Sequence, residues 1–330
     1  MAILFVSGIN DLSRIGVAID DEGQLINLLD GNCSIHQRIP LKEGIDAYLI
    51  LFGKGVKQRS VDFTKKPTLI VNQIADADTH RGALERCMEL CAKVDSPVIN
   101  HPEIILQTSR DRVSELLQGI PGVTMPRTVR FNPRSPEHIF EGAESENFSF
   151  PFIVRMAGDH GGKSMIRLNS KEDYRALHVY PFDGRDFYLT EYVEGKDSAG
   201  YHQRQRLVVI DGKPILRGSL YDQDWKVHGA SRSFMLERET WEDDRVRSDL
   251  LETEVIPRLE TAVQEITNRL KLEIFGIDCS LSPEGEMLIF EANANMNILT
   301  NDHPQMNERM DRIKSRIHAM LARHSGERVI

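Results

Sequence analysis

Short apolar runs at residues 2–6, 47–52, 68–71 and 97–100 alternate with polar stretches in the first part of the chain. Between them Leu84, Cys87, Met88 and Cys91 recur at helical spacing, with Asp78 or Thr79 placed to cap the helix. Residues 103–118 read as a further helix carrying Arg110 and Arg112. Strands alternating with helices predict an open α/β sheet over roughly the first 120 residues. Gly119 and Gly122 break this pattern. Strands are then predicted at 150–154, 165–168, 187–193, 204–210 and 213–220, with a helix from Ser170 to before Pro181. Asp211-Gly212 is a hairpin turn signal. Residues 221–247 are polar and read as irregular. A helix over 249–271 turns Leu259, Val263, Ile266 and Leu270 inward, with Pro257 near its start or kinking it. Met306, Met310, Ile313, Ile317 and Met320 line one side of a last helix, as a core stripe does.

Composition narrows the class. The net charge of -9 argues against a nucleic-acid surface, while permitting an anionic ligand in a locally basic pocket. No apolar run approaches the roughly 20 residues of a membrane span. The opening MAILFVSGINDLSRIG has no basic n-region and no small-residue cleavage site, so it reads as a first strand. Cys33, Cys87, Cys91 and Cys279 form no CxxC pair and read as reduced core thiols of a cytoplasmic protein. His202, His303 and the other histidines show no metal-ligand spacing.

The chemistry concentrates in FGIDCSLSPEGEMLIFEANAN, residues 275–295. Two apolar, β-prone segments flank Ser282-Pro283-Glu284-Gly285. A two-residue turn at Glu284-Gly285 sets Asp278 opposite Glu291, about 5 Å apart at Cβ, with Asn293 on the face of Glu291. Like charges directly opposite are destabilising. Two carboxylates and an amide suit a hard cation such as magnesium, completed by phosphate oxygens. The bland alternative is a surface hairpin with one paired carboxylate.

Residues 158–164, GDHGGKS, invite a phosphate-loop reading that fails twice. Ala157 occupies the first glycine position, and strand-like MIRL follows where a helix must start. A loop between antiparallel strands fits better, with glycines that let backbone N–H groups approach phosphates. The alternative is a hairpin tip without a ligand.

In order, these parts are a strand ending in Arg155, the glycine-rich hairpin loop, the strand TEYV, the strand RQRLVVIDG and the D…E-x-N ending. Over about residues 100–300 this resembles the ATP-grasp superfamily, most closely the branch with glutathione synthetase and the ribosomal-protein glutamate ligase. The resemblance implies an N-terminal α/β domain at 1–120, a central lid subdomain at 121–190 and a C-terminal subdomain with the magnesium site at 191–330, α+β in the ATP-binding part. It implies that Asp278, Glu291 and Asn293 hold magnesium, two ions with manganese able to substitute. Arg112, Arg155, Gly161, Gly162, Lys163 and Ser164 fall to ATP, Arg155 at phosphate and adenine and Gly161 and Gly162 in the loop that covers the phosphates. Glu191, Tyr192 and Val193 match the hinge that reads adenine, and Asp197 the ribose. Arg206 matches the arginine that stabilises the tetrahedral intermediate, with Arg204 as competitor. The usual Pro-Gly after the ligands is absent in EANANMN.

Such a set implies an ATP-dependent carboxylate–amine ligase working through an acylphosphate and releasing ADP and phosphate. Its partners are a small carboxylate and an amine, an amino acid or small peptide, and the family implies a homodimer; no nucleic acid or membrane is expected. Lys226 and His228 lie where relatives run near the acceptor, or are solvated loop residues. A peptide-modifying ligase and a non-catalytic nucleotide-binding module are the alternatives.

Overall fold

The computed structural model describes all residues except 1, 20–22, 24, 42, 57–62, 198, 230, 238–240, 295, 297–306 and 327–330. Met306 and His303 therefore lie outside the described residues.

The N-terminal strands are β1 (Ala2–Gly8), β2 (Gly16–Ile19), β3 (Leu25–Leu28), β4 (Asp46–Phe52), β5 (Leu69–Asn72) and β6 (Val98–Ile99). Four form a parallel sheet in the order β4-β1-β5-β6. This is the α/β unit expected from the apolar runs. The β2–β3 hairpin was not legible as strands, because its apolar residues Val17, Ile19 and Leu25 are exposed rather than alternating with a buried face.

The next strands are β7 (Val123–Thr124), β8 (Thr128–Phe131), β9 (Phe152–Met156), β10 (Ile166–Leu168) and β11 (Phe187–Glu191). Four of them build an antiparallel sheet, β10-β9-β11-β8, with its own core around Phe152, Val154 and Phe187. The chain continues through β12 (His202–Ile210), β13 (Lys213–Asp222), β14 (Ile274–Leu281) and β15 (Met287–Asn293). These four join β7 in the order β13-β12-β14-β15-β7. Leu207 and Ile277 of this sheet share a core with Leu4 and Ile70 of the first.

Several local expectations need correction. Residues 103–118 form two helices, Pro102–Ile105 and Arg110–Leu116, because Ser109 enters as an extended N-cap and restarts the helix. Helix Arg81–Val94 is not capped by Asp78 or Thr79. Asp11 instead accepts from the N–H groups of Arg81 and Gly82, both at 3.0 Å. The polar 221–247 stretch contains helices Ser231–Glu237 and Trp241–Leu250. Pro257 does interrupt its helix, which passes through a π turn at Leu251–Val255 before Glu260–Leu270. Met310, Ile313, Ile317 and Met320 are buried, as a core stripe should be. All four cysteines are buried free thiols. Among the described residues no helix is long and apolar enough to cross a membrane.

The β14–β15 hairpin brings Asp278 opposite Glu291 by an unexpected route. Ser282 N–H donates to the Glu286 carbonyl at 2.9 Å, so the loop holds three residues, with Gly285 at φ +92°. Near the turn, Leu281 faces Met287 and Cys279 faces Ile289. The register then slips at Phe290, a bulge residue, and Asp278 pairs with Glu291. Were Phe290 paired as an ordinary ladder residue, Glu291 would share the core face of Met287 and Ile289. With the bulge, Glu291 and Asn293 turn to the cleft.

Candidate active site

A cleft runs between the antiparallel sheet and the five-stranded sheet, roofed by the loop that joins β9 to β10. Its lining carries five basic side chains, Arg110, Arg155, Arg204, Arg206 and Lys226, against three acidic ones, Glu191, Asp278 and Glu291. In a chain of net charge -9, this local excess marks a site for an anion.

The acidic centre is a row across neighbouring strands. Arg206 pairs with Asp278 between β12 and β14, and Asp278 with Glu291 between β14 and β15. Arg206 donates from Nε to Oδ1 and from Nη2 to Oδ2, both at 2.7 Å. Arg204 Nη1 lies 3.6 Å from Oδ2 of the same carboxylate. Beyond Glu291, Arg110 Nη2 donates to Oε1 at 2.5 Å, and so does Asn293 Nδ2. The two like charges are thus each flanked by guanidinium. Burial alone would raise the Glu291 carboxyl, but Arg110 and Arg155 hold it well below the usual carboxylate range. Burial likewise works against the Arg110 and Arg206 cations, and their carboxylate partners push both pKa values up.

Arg155 is the poorly neutralised member. Burial, followed by the like charge of Arg110, brings its guanidinium down to about 10. Its Nη2 donates to the Asp159 carbonyl, and its buried Nε has no hydrogen-bond partner. A buried cation with an orphaned donor is suited to receive an anionic oxygen.

The donor chemistry fits a divalent cation at the centre of the row. Asp278, Glu291 and Asn293 supply an all-oxygen set on one face, and guanidinium groups occupy carboxylate oxygens that a hard ion would share. Among the described residues no cluster of three or more His, Cys, Asp or Glu side chains forms a metal cage.

Other expected residues divide into two groups. Gly161, Gly162, Glu191, Tyr192, Val193, Arg204 and Arg206 all line the cleft. The Glu191 carboxylate accepts from Arg127 Nε at 3.1 Å. Arg112 does not reach the cleft: it is exposed and donates to Gln107. Residues two apart point to widely different sides of a helix, so Arg110 at the first position of its helix takes the inward place. Lys163 is exposed and does not line the cleft. Ser164 turns back to close the loop, donating from Oγ to Asp159 Oδ2 at 2.8 Å. Asp197 caps its own turn, accepting from Ala199 and Tyr201 N–H at 2.9 Å each. Lys226 and His228 are not simply solvated: both line the cleft, and Lys226 Nζ stands 3.5 Å from the Met165 carbonyl. Trp225 meets Tyr192 edge to face at 6.0 Å. The Thr108-Ser109 pair followed by Asp111 is a helix-start signal that would have found Arg110.

Comparison with protein-family models and with curated protein sequences finds no match. Solved structures do match in shape. The VanG D-Ala:D-Ser ligase of Enterococcus faecalis superposes with a TM-score of 0.57 at 12% identity, covering 98% of this chain and 99% of that one. D-alanyl-alanine synthetase A of Vibrio cholerae gives 0.56 at 11% identity, over 98% and 97%. A RimK domain ATP-grasp protein of Sphaerobacter thermophilus gives 0.50 at 14% identity, over 83% and 89%. The chain has the ATP-grasp fold. The likeness does not single out the glutathione synthetase branch.

Proposed function

We propose that this protein is an ATP-dependent ligase that activates a carboxylate by phosphoryl transfer and joins it to an amine, releasing ADP and phosphate. The observation that carries this reading is the cross-strand row Arg206–Asp278–Glu291–Arg110 under a glycine-rich loop, in a cleft of net positive lining. Two opposed carboxylates with a guanidinium at each end are arranged to handle phosphate and a cation together.

The roles follow from placement. Arg155, with its free Nε, contacts the transferred phosphate. Gly161 and Gly162, at φ +75° and +69°, turn their backbone over the phosphates. The apolar wall of Met125, Pro126, Ile153, Val193, Leu288 and Phe290 accepts the purine. Arg204, half-buried beside one long ion pair to Asp278, is the guanidinium left to meet a developing oxyanion, since Arg206 is committed to Asp278. Asp278, Glu291 and Asn293 would hold magnesium, which when bound neutralises charge moving between phosphate oxygens.

Incubation with ATP, magnesium and pooled amino acids tests the reading. ADP release that requires both an acid and an amine is expected. Tight ATP binding without turnover in any pool would leave only a nucleotide-binding module.

A further inference from the structure

The glycine-rich loop is held by more than its own strands. Gly158 N–H donates to Asp78 Oδ2 at 3.3 Å, and His160 Nε2 lies 2.8 Å from Asp76 Oδ2. The approach is close: a Cβ on Gly158 would stand 2.6 Å from Thr79 Cγ2, and its φ is +71°. Both carboxylates belong to the segment between β5 and helix Arg81–Val94, at one end of the parallel sheet.

That segment is itself rigid. Asp76 is buried, accepting from Asp78 N–H at 2.8 Å and from the Thr79 hydroxyl. Asp78 also takes the Tyr188 hydroxyl, at 2.9 and 2.8 Å to its two oxygens, and the Arg130 guanidinium. Asp11 N–H donates to the Thr79 carbonyl at 2.8 Å, and the Asp11 carboxylate binds the start of the following helix. One short acidic segment therefore grips the loop at two points and the sheet that carries the loop at two more.

We propose that Asp76 and Asp78 are positioning residues that act through His160 and the Gly158 N–H to hold Gly161 and Gly162 over the cleft. The nucleotide consequence rests on the ATP reading above; the latch itself rests on geometry alone. The loop's position is thus set by the parallel sheet as well as by the antiparallel sheet from which it grows.

Hydrogen–deuterium exchange of the full chain tests the latch without ligand. Asp76→Asn and His160→Ala are each expected to speed exchange of amides 158–164 about tenfold, the loss of one charged hydrogen bond. His160→Gln, which keeps a side-chain N–H donor, should recover most of the protection. His160→Ala alters the loop and not a sheet, so it remains usable if Asp76→Asn fails to fold. Unchanged exchange in His160→Ala overturns the latch. Affinity for magnesium and the non-hydrolysable analogue AMP-PNP is the second readout, expected to weaken about tenfold in His160→Ala and to return in His160→Gln. A loosened loop with unaltered affinity overturns the positioning role. Failure of the unmodified protein to bind AMP-PNP counts against the proposed function, and the exchange result still decides the latch.

Discussion

Arg206 and Asp278 are cross-strand partners on β12 and β14, and their side chains share two 2.7 Å hydrogen bonds in a fork-to-fork pair. Asp278 is only 3% exposed, and its other ion pair, to Arg204, is 3.6 Å long. Removing the guanidinium strands a buried carboxylate. Arg206→Ala is expected to cost about 3 kcal/mol in urea unfolding, and Arg206→Lys to recover only part, because an ammonium cannot form the fork. A loss under about 1 kcal/mol would mean that Arg204 swings in to replace it.

Glu291→Gln should abolish turnover, by a factor of at least about 100, because charge neutralisation at the phosphates is lost. The same change leaves Arg110 facing a neutral amide in place of the carboxylate it binds at 2.5 Å and should lower the thermal midpoint. Retention of full activity would sink the assignment of Glu291 as a magnesium ligand.

Burial of the Arg155 guanidinium opposes folding, and the proposed function gives that cation a phosphate to bind. The guanidinium, lowered from 12.5 to about 10 by burial and Arg110, carries a cost on the order of 3 kcal/mol in the ligand-free protein. Arg155→Met is therefore expected to raise the midpoint of the free protein and to erase most of the rise that ATP produces. A midpoint that falls without ligand would show that Arg155 holds the loop more than it strains the pocket.

The Asp76–His160 pair gives stability a pH signature. Burial lowers the His160 pKa, but the bonded Asp76 carboxylate and the field of Glu291 outweigh burial and Arg110, so it ends above its ordinary value. A base raised in the folded state stabilises fully below its unfolded pKa, about 6.5, and loses that contribution as pH rises through the folded value. Burial would raise the Asp76 carboxyl, yet His160 and Thr79 hold it below the usual range. Its contribution is present above about pH 4 and fades as pH falls through the folded value. His80, also packed beside Asp76, is lowered by burial, against the pull of the Asp76 and Asp11 carboxylates. The difference in thermal midpoint between the unmodified protein and His160→Ala should be largest at about pH 4–6.5 and shrink above it. A gap constant from about pH 5 to about pH 9 would mean that the pair does not titrate.

Strands β1 and β5 were legible because their apolar runs are buried on both faces, with every residue of each inside. Asp278 opposite Glu291 was legible too, although two errors cancelled: a three-residue loop was read as two, and the Phe290 bulge restored the pairing. The resemblance points to Arg112, whereas the helix restart at Ser109 turns Arg110 to the cleft, and that restart lies in the break at Thr108-Ser109. The latch was out of reach. Asp76 and His160 are 84 positions apart, and nothing local in either segment announces the other.

The bulge at Phe290 also switches parity partway along β15. Before it, the odd-numbered Met287 and Ile289 face the interior; after it, the even-numbered Ala292 and Ala294 do. A substitution scan should therefore find its intolerance to polar residues jumping from odd to even positions within one strand. Drawing Phe290 into the ladder as an ordinary residue would rotate the cleft-facing end of that strand into the hydrophobic interior, whereas deleting Phe290 would leave a regular ladder with Glu291 still opposite Asp278.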